Sequence, residues 1–123
     1  MIPKTMKAVV LTGPTQAENI CLSDVPVPQI RPGWVLIRIR AFGLNHSEQI
    51  LRLGEIQADY IQKPIIPGIE CVGEVADPSD SSLHTGQRAV ALMGGMGRSF
   101  NGSYAQYALL PESHVFPLVT ELS

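Results

Sequence analysis

Short apolar runs separated by turn residues set the pattern of this chain. In "GWVLIRIRAFG" (33–43), Val35, Ile37 and Ile39 share one face of a strand, while Leu36, Arg38 and Arg40 share the other. The "RPG" just before it reads as the turn that launches the strand. Further strands are predicted at "MKAVVLTG" (6–13), "NICLSDVPVP" (19–28) and "ECVGEVADPS" (70–79). Three more follow at "QRAVALMGG" (87–95), "GSYAQYALLP" (102–111) and "HVFPL" (114–118).

A helix is predicted at 46–53. Asn45 is a good N-cap, Glu48 three residues on resembles the second half of a capping box, and Gly54 fits the left-handed residue that stops a helix. Ile50, Leu51 and Leu53 supply its apolar side, and 55–69 is irregular and broken by proline. Many short strands with one or two short helices predict a mainly β fold, a partly open β-barrel.

Composition sharpens this picture. Ten prolines and eleven glycines in 123 residues favour short elements and tight turns over a helical bundle. Hydrophobic residues make up 45%, enough for one domain with its own core. Net charge is −2 and the nine basic residues are spread along the chain, so nucleic acid is not an expected partner. No apolar run is long enough to span a membrane, and "MIPKTMKAVV" holds no signal-peptide core, so a cytoplasmic location is expected. Cys21 and Cys71 are read as buried reduced thiols, and with no Cys-x-x-Cys pair a zinc ribbon is excluded.

Three stretches in fixed order carry a family resemblance: "AFGLNHSE", "PIIPGIECVGEV" and "GQRAVALMGG…NGSYAQYALLP". Together they resemble the N-terminal, GroES-like domain of the medium-chain dehydrogenase/reductase superfamily, in its zinc-free, quinone oxidoreductase-like branch. The resemblance covers residues 1–123 as one substrate-side domain. It implies a GroES-like β-barrel forming one wall of an active-site cleft. The other wall would be a Rossmann cofactor domain, which this chain lacks: "GGMG" (94–97) is the nearest thing to a G-x-G-x-x-G and reads as a turn needing positive φ. "PLVTELS" reads as a cut through a longer chain.

The zinc-using members of the superfamily carry a cysteine ligand where Asn45 stands and a histidine where Ile69 stands. An amide and an alkyl group cannot replace those donors. The stretch "ALMGGMGRSFNGSY" also lacks the cysteines of their structural zinc, and His46, His84 and His114 are scattered. No metal is expected. Without a Lewis acid, hydride must go to an already activated acceptor, so the resemblance implies reduction of quinones or other α,β-unsaturated carbonyls by NADPH.

Within that resemblance Asn45, Ser47 and Glu70 are the candidate catalytic residues, and Asn45 and His46 the candidate cofactor contacts. Each also has a plain structural reading. Asn45 caps a helix, Ser47 assists its first turn, and Glu70 is a buried carboxylate expected to pair with Arg52 or Arg88. Tyr104 and Tyr107 are expected to pack or to hydrogen-bond within the fold. The tyrosine that quinone reductases commonly show after this helix is missing from "RLGEI" (52–56), which leaves the closing proton donor unassigned. A small carbonyl or quinone substrate and a homodimer of the full-length protein are expected. The alternative is a non-catalytic GroES-like scaffold or interaction module.

Overall fold

The computed structural model describes residues 2–119. Part of the closing "PLVTELS", residues 120–123, lies outside them, and so does any bearing of that segment on where the domain ends. The chain is mainly β: a curled, open half-barrel of five strands, one α-helix and short 3-10 turns. Strands β1 (Thr5–Val9) and β2 (Leu22–Pro26) pair antiparallel as a separate two-stranded sheet. The larger sheet holds β3 (Trp34–Ala41), β4 (Glu70–Asp77), β5 (Arg88–Leu92), β6 (Tyr107–Pro111) and β7 (Val115–Pro117), in the order β6-β3-β4-β5-β7. Helix α1 spans His46–Leu53, the predicted range, but Gly54 ends it at φ −155° rather than in the left-handed region expected of it, because the chain turns directly into a 3-10 turn at Glu55–Gln57.

The alternation in β3 has a consequence for both of its faces. Val35 and Ile37 enter the main core with Val75, Ala89, Ala91 and Leu110. Leu36 faces the other way and is also buried, because Met6 and Ala8 of β1 cover that side together with Val27 and Ile66. Farther along, Arg38 and Arg40 emerge from this cover, and β3 becomes a half-solvated strand. Two register shifts between β3 and β4 bend the sheet there. Gly73 makes the bend possible, since a Cβ on it would collide with the Arg38 carbonyl.

A third cluster, with Leu11, Leu51, Ile56, Ile61 and Ile65, seats α1 against the irregular segment that follows it. Here the predicted apolar helix side needs correction. Only Leu51 is buried, whereas Ile50 and Leu53 are 51% and 43% exposed. Their spacing admits a single buried ridge, because the helix has just two turns and touches the domain along one line. Two strand expectations also shrink. The run 19–28 forms a strand only from Leu22, after a 3-10 turn at Ala17–Asn19, and the run 102–111 only from Tyr107. Cys71 is buried as expected, but Cys21 is exposed: it precedes β2, an outer strand whose residues are only partly covered.

Candidate functional site

The polar run after β3 is held by local backbone chemistry. Asn45 has extended backbone angles and forms a capping box with Glu48, its N–H donating to Glu48 Oε1 at 2.8 Å. The Asn45 amide nitrogen donates to Glu70 Oε1 at 3.3 Å. The helix-capping reading of Asn45 therefore holds, and its side-chain amide is at the same time engaged by Glu70. Gly43 permits this contact, since a Cβ there would run into the Glu70 carboxylate.

Glu70 does not pair with Arg52, as the sequence reading allowed. Arg52 Nη1 donates instead to the Thr15 carbonyl at 2.8 Å, and Arg88 lies across the sheet from Glu74. The reason is direction: Arg52 lies in the last turn of α1, whereas Glu70 faces the residue before its first turn.

Glu48 is the buried carboxylate of the site, 5% exposed. Its Oε1 accepts the Asn45 N–H and also the Tyr104 hydroxyl at 3.1 Å, while its Oε2 is buried without a partner among the described residues. Tyr104 packs against Phe42 with ring centroids 4.8 Å apart and the ring planes tilted by 36°. Its hydroxyl is pushed up to about 12, first by burial and then by the Glu48 charge and hydrogen bond. The expected structural role of Tyr104 is thus a hydrogen bond to the helix cap, and Tyr107 packs in the core.

Two clefts flank the Asn45–Glu70 contact. One, of about 240 Å³, is largely apolar and is lined by Phe42, Gly43, Glu70, Cys71 and Val90 among others. The other, of about 250 Å³, is lined by Leu44, Asn45, Glu48, Arg52 and Tyr104 with apolar residues of the β1 side. The Cys71 thiol on the first cleft is pushed up to about 12, first by burial and then by the neighbouring Glu70 charge, which disfavours its thiolate form.

Ser47 meets a residue that sequence reasoning missed. Arg98 Nη2 donates to Ser47 Oγ at 2.8 Å and to the Ser47 carbonyl at 3.1 Å. The same guanidinium forms an ion pair with Glu55 at 2.8 Å, and Tyr60 donates its hydroxyl to Glu55 Oε2 at 2.6 Å. These two donors hold the Glu55 carboxyl below the usual carboxylate range. Arg98 reaches Ser47 because the "GGMG" turn folds back on itself, with positive φ at Gly94, Gly95 and Gly97 as that turn was expected to need. A cation directly after a glycine-rich turn was the signal available in the sequence.

His46 stands apart. It is exposed and its Nδ1 lies 2.9 Å from Gln49 Oε1. The structure thus joins Asn45 to Glu70, joins Ser47 to Arg98, and leaves His46 on the open side of the helix. At the positions that match the zinc ligands, Asn45 is engaged with a carboxylate and Ile69 is aliphatic. Among the described residues no three His, Cys, Asp or Glu side chains gather closely enough to hold a metal ion. Among them, too, no helix is long and apolar enough to cross a membrane.

Residues 31–120 match the family described as the alcohol dehydrogenase GroES-like domain. Prostaglandin reductase-3 of Mus musculus is 34% identical over 122 residues, covering 95% of this chain and 30% of its own length. Quinone oxidoreductase of Homo sapiens is 30% identical over 105 residues, covering 81% of this chain and 29% of its own. The crystal structure of the human synaptic vesicle membrane protein VAT-1 homolog-like protein has the same architecture. It aligns with a TM-score of 0.82 at 28% identity, covering 97% of this chain and 37% of that one. The chain spans about three tenths of the length of the curated relatives it matches.

Proposed function

The chain belongs to the alcohol dehydrogenase GroES-like domain family, and from that premise we propose that it is the substrate-side domain of a zinc-independent oxidoreductase. The substrate class is quinones or other α,β-unsaturated carbonyls, reduced with NADPH. The observation that carries this reading is the pair Asn45 and Glu70. Where zinc-using members of the superfamily hold a thiolate, this chain has a carboxamide already hydrogen-bonded to the neighbouring carboxylate. One carboxylate beside a carboxamide does not fit a catalytic zinc, which takes three thiolate, imidazole or carboxylate ligands. Relatives named for prostaglandin and quinone reduction support the acceptor class.

The described residues fit a nicotinamide edge on one side only. An amide nitrogen carries two protons, and Glu70 takes one from Asn45, so the second is available to a carbonyl on the cofactor or the substrate. NADPH would supply hydride, and a longer chain would supply most of its binding surface. This domain's own residues orient and polarise the acceptor: Asn45 and Ser47 as donors, Glu70 as the group that fixes the Asn45 amide, and His46 at the open side. The apolar cleft beside Glu70 suits a planar conjugated substrate and helps exclude water. We place the protein in the cytoplasm, as a homodimer of full-length chains.

The test uses protein expressed from its complete reading frame, mixed with NADPH and either p-benzoquinone or methyl vinyl ketone. Loss of NADPH absorbance with at least one acceptor is expected. Absence of any nicotinamide binding by calorimetry would sink the reading in favour of the alternative, a non-catalytic interaction module. A relative named for a vesicle membrane rather than a reaction gives that alternative its support.

A further inference from the structure

Arg98 lies outside the motif pieces that drew attention to Asn45, Ser47 and Glu70, yet it grips one of them. We propose that Arg98 is a positioning residue for Ser47, holding its hydroxyl as a one-way hydrogen-bond donor to the oxygen on which charge collects during reduction. This deepens the function proposed above and rests on it.

A serine hydroxyl has one proton to give and lone pairs to receive with. Arg98 Nη2 occupies the receiving side of Ser47 Oγ at 2.8 Å. A guanidinium has no acceptor, so Arg98 cannot take the Ser47 proton in return. No described residue accepts that proton, and Ser47 is only half-buried, so the O–H is left for a ligand. One Nη2 proton goes to Glu55, so the other is shared between Ser47 Oγ and the Ser47 carbonyl at 3.1 Å, which ties the backbone of this residue to the guanidinium.

The guanidinium is itself fixed from behind. Its Nε lies 3.2 and 3.3 Å from the two Glu55 oxygens, and its Nη2 lies 2.8 Å from Oε1. Both side chains are only about a fifth exposed, 21% and 20%, and Tyr60 holds the far Glu55 oxygen. A fork with this many bonds keeps one orientation, where a lysine would swing. Ser47 also sits in the first turn of α1, the end of a helix that favours negative charge. A donor at that place, backed by a cation, is arranged for an oxyanion.

The chemistry balances without a further reagent. Hydride arriving at the β-carbon of an enone forms a C–H bond there and moves the C=C pair onto the carbonyl oxygen. The substrate gains the two electrons that a bound nicotinamide would supply, and a solvent proton completes the product. Ser47 holds the enolate oxygen and keeps its own proton.

The test is a double-mutant cycle on protein from the complete reading frame, with NADPH and methyl vinyl ketone or p-benzoquinone. Ser47→Ala should lower kcat about 100-fold, as loss of an oxyanion donor does. Arg98→Met should lower kcat about 10-fold with little change in KM, and the double variant should be no worse than Ser47→Ala alone. Added guanidinium should restore part of the Arg98→Met rate and none of the Ser47→Ala rate. Should Arg98→Met fail to fold, Arg98→Lys carries the same cycle, since it keeps a charge for Glu55 but loses the fork. Losses that multiply in the double variant, or a positioning variant as fast as the parent, overturn the assignment alone. A parent protein that turns over neither acceptor overturns the function proposal and this inference with it.

Discussion

Helix α1 has a Glu–Tyr hydrogen bond at each end, and the two differ in everything except the bond. At its start, Glu48 accepts from Tyr104 inside the protein, with the Asn45 N–H as the other donor to the same oxygen. Just past its end, Glu55 accepts from Tyr60 near the surface, with the Arg98 guanidinium alongside. Burial dominates the first pair and raises the tyrosine; a cation dominates the second and lowers the carboxyl. The lesson is that a carboxylate's surroundings decide its use. The inner pair fixes the helix cap that aims Asn45 at Glu70. The outer pair anchors a charge that grips Ser47.

The comparison breaks most sharply at the inner pair. Glu48→Ala should cost about 2 kcal/mol, because it leaves the part-buried Asn45 N–H and Tyr104 hydroxyl without their acceptor. Urea unfolding measures this, and a loss below about 1 kcal/mol would show that the cap holds without it. Tyr104→Phe removes a single donor and should cost about 1 kcal/mol.

It should also alter the alkaline limb of stability. The folded-state value of Tyr104 stands above the free tyrosine value of 10.0, so its contribution is full below about pH 10 and is lost as pH climbs toward about 12. Thermal melts across that window should slope less steeply in the variant than in the parent.

The outer pair should respond less. Glu55→Gln should cost about 0.5 kcal/mol, because the amide keeps the shape and one oxygen acceptor for Arg98 although the charge is gone. Its signature lies at the acid end. The Glu55 carboxyl is lowered from 4.5, so its contribution is present above that value and is lost as pH falls through the lower folded one. Melts at acidic pH should therefore converge for the variant and the parent, and added salt should shrink the gap at neutral pH. Tyr60→Phe should leave the melting temperature where it is, since Tyr60 is exposed and Arg98 still holds Glu55. A clear shift there would mean the two ends of the helix are more alike than their burial suggests.

Much of this was legible along the chain. The start of α1 follows from Asn45 and Glu48, because caps are set by nearest neighbours in sequence. The strand β3 follows from period-two alternation for the same local reason. The exposure of Ile50, Leu53 and Cys21 was not legible, since apolar spacing says which residues share a side and not which side finds cover. The partner of Glu70 was not legible either. It is a neutral amide twenty-five residues earlier, and Arg52 turns to Thr15 instead because the last turn of α1 points away from Glu70.

The sequence by itself determined the strands, the single helix, the family and the substitution of Asn45 and Ile69 for zinc-binding residues. All of these rest on residue identity and short-range order. Tertiary structure alone decided that Arg98, fifty-one residues from Ser47, would become its nearest cation. That pairing needs a glycine turn folded back beside a helix start, and no local pattern encodes a distance between elements.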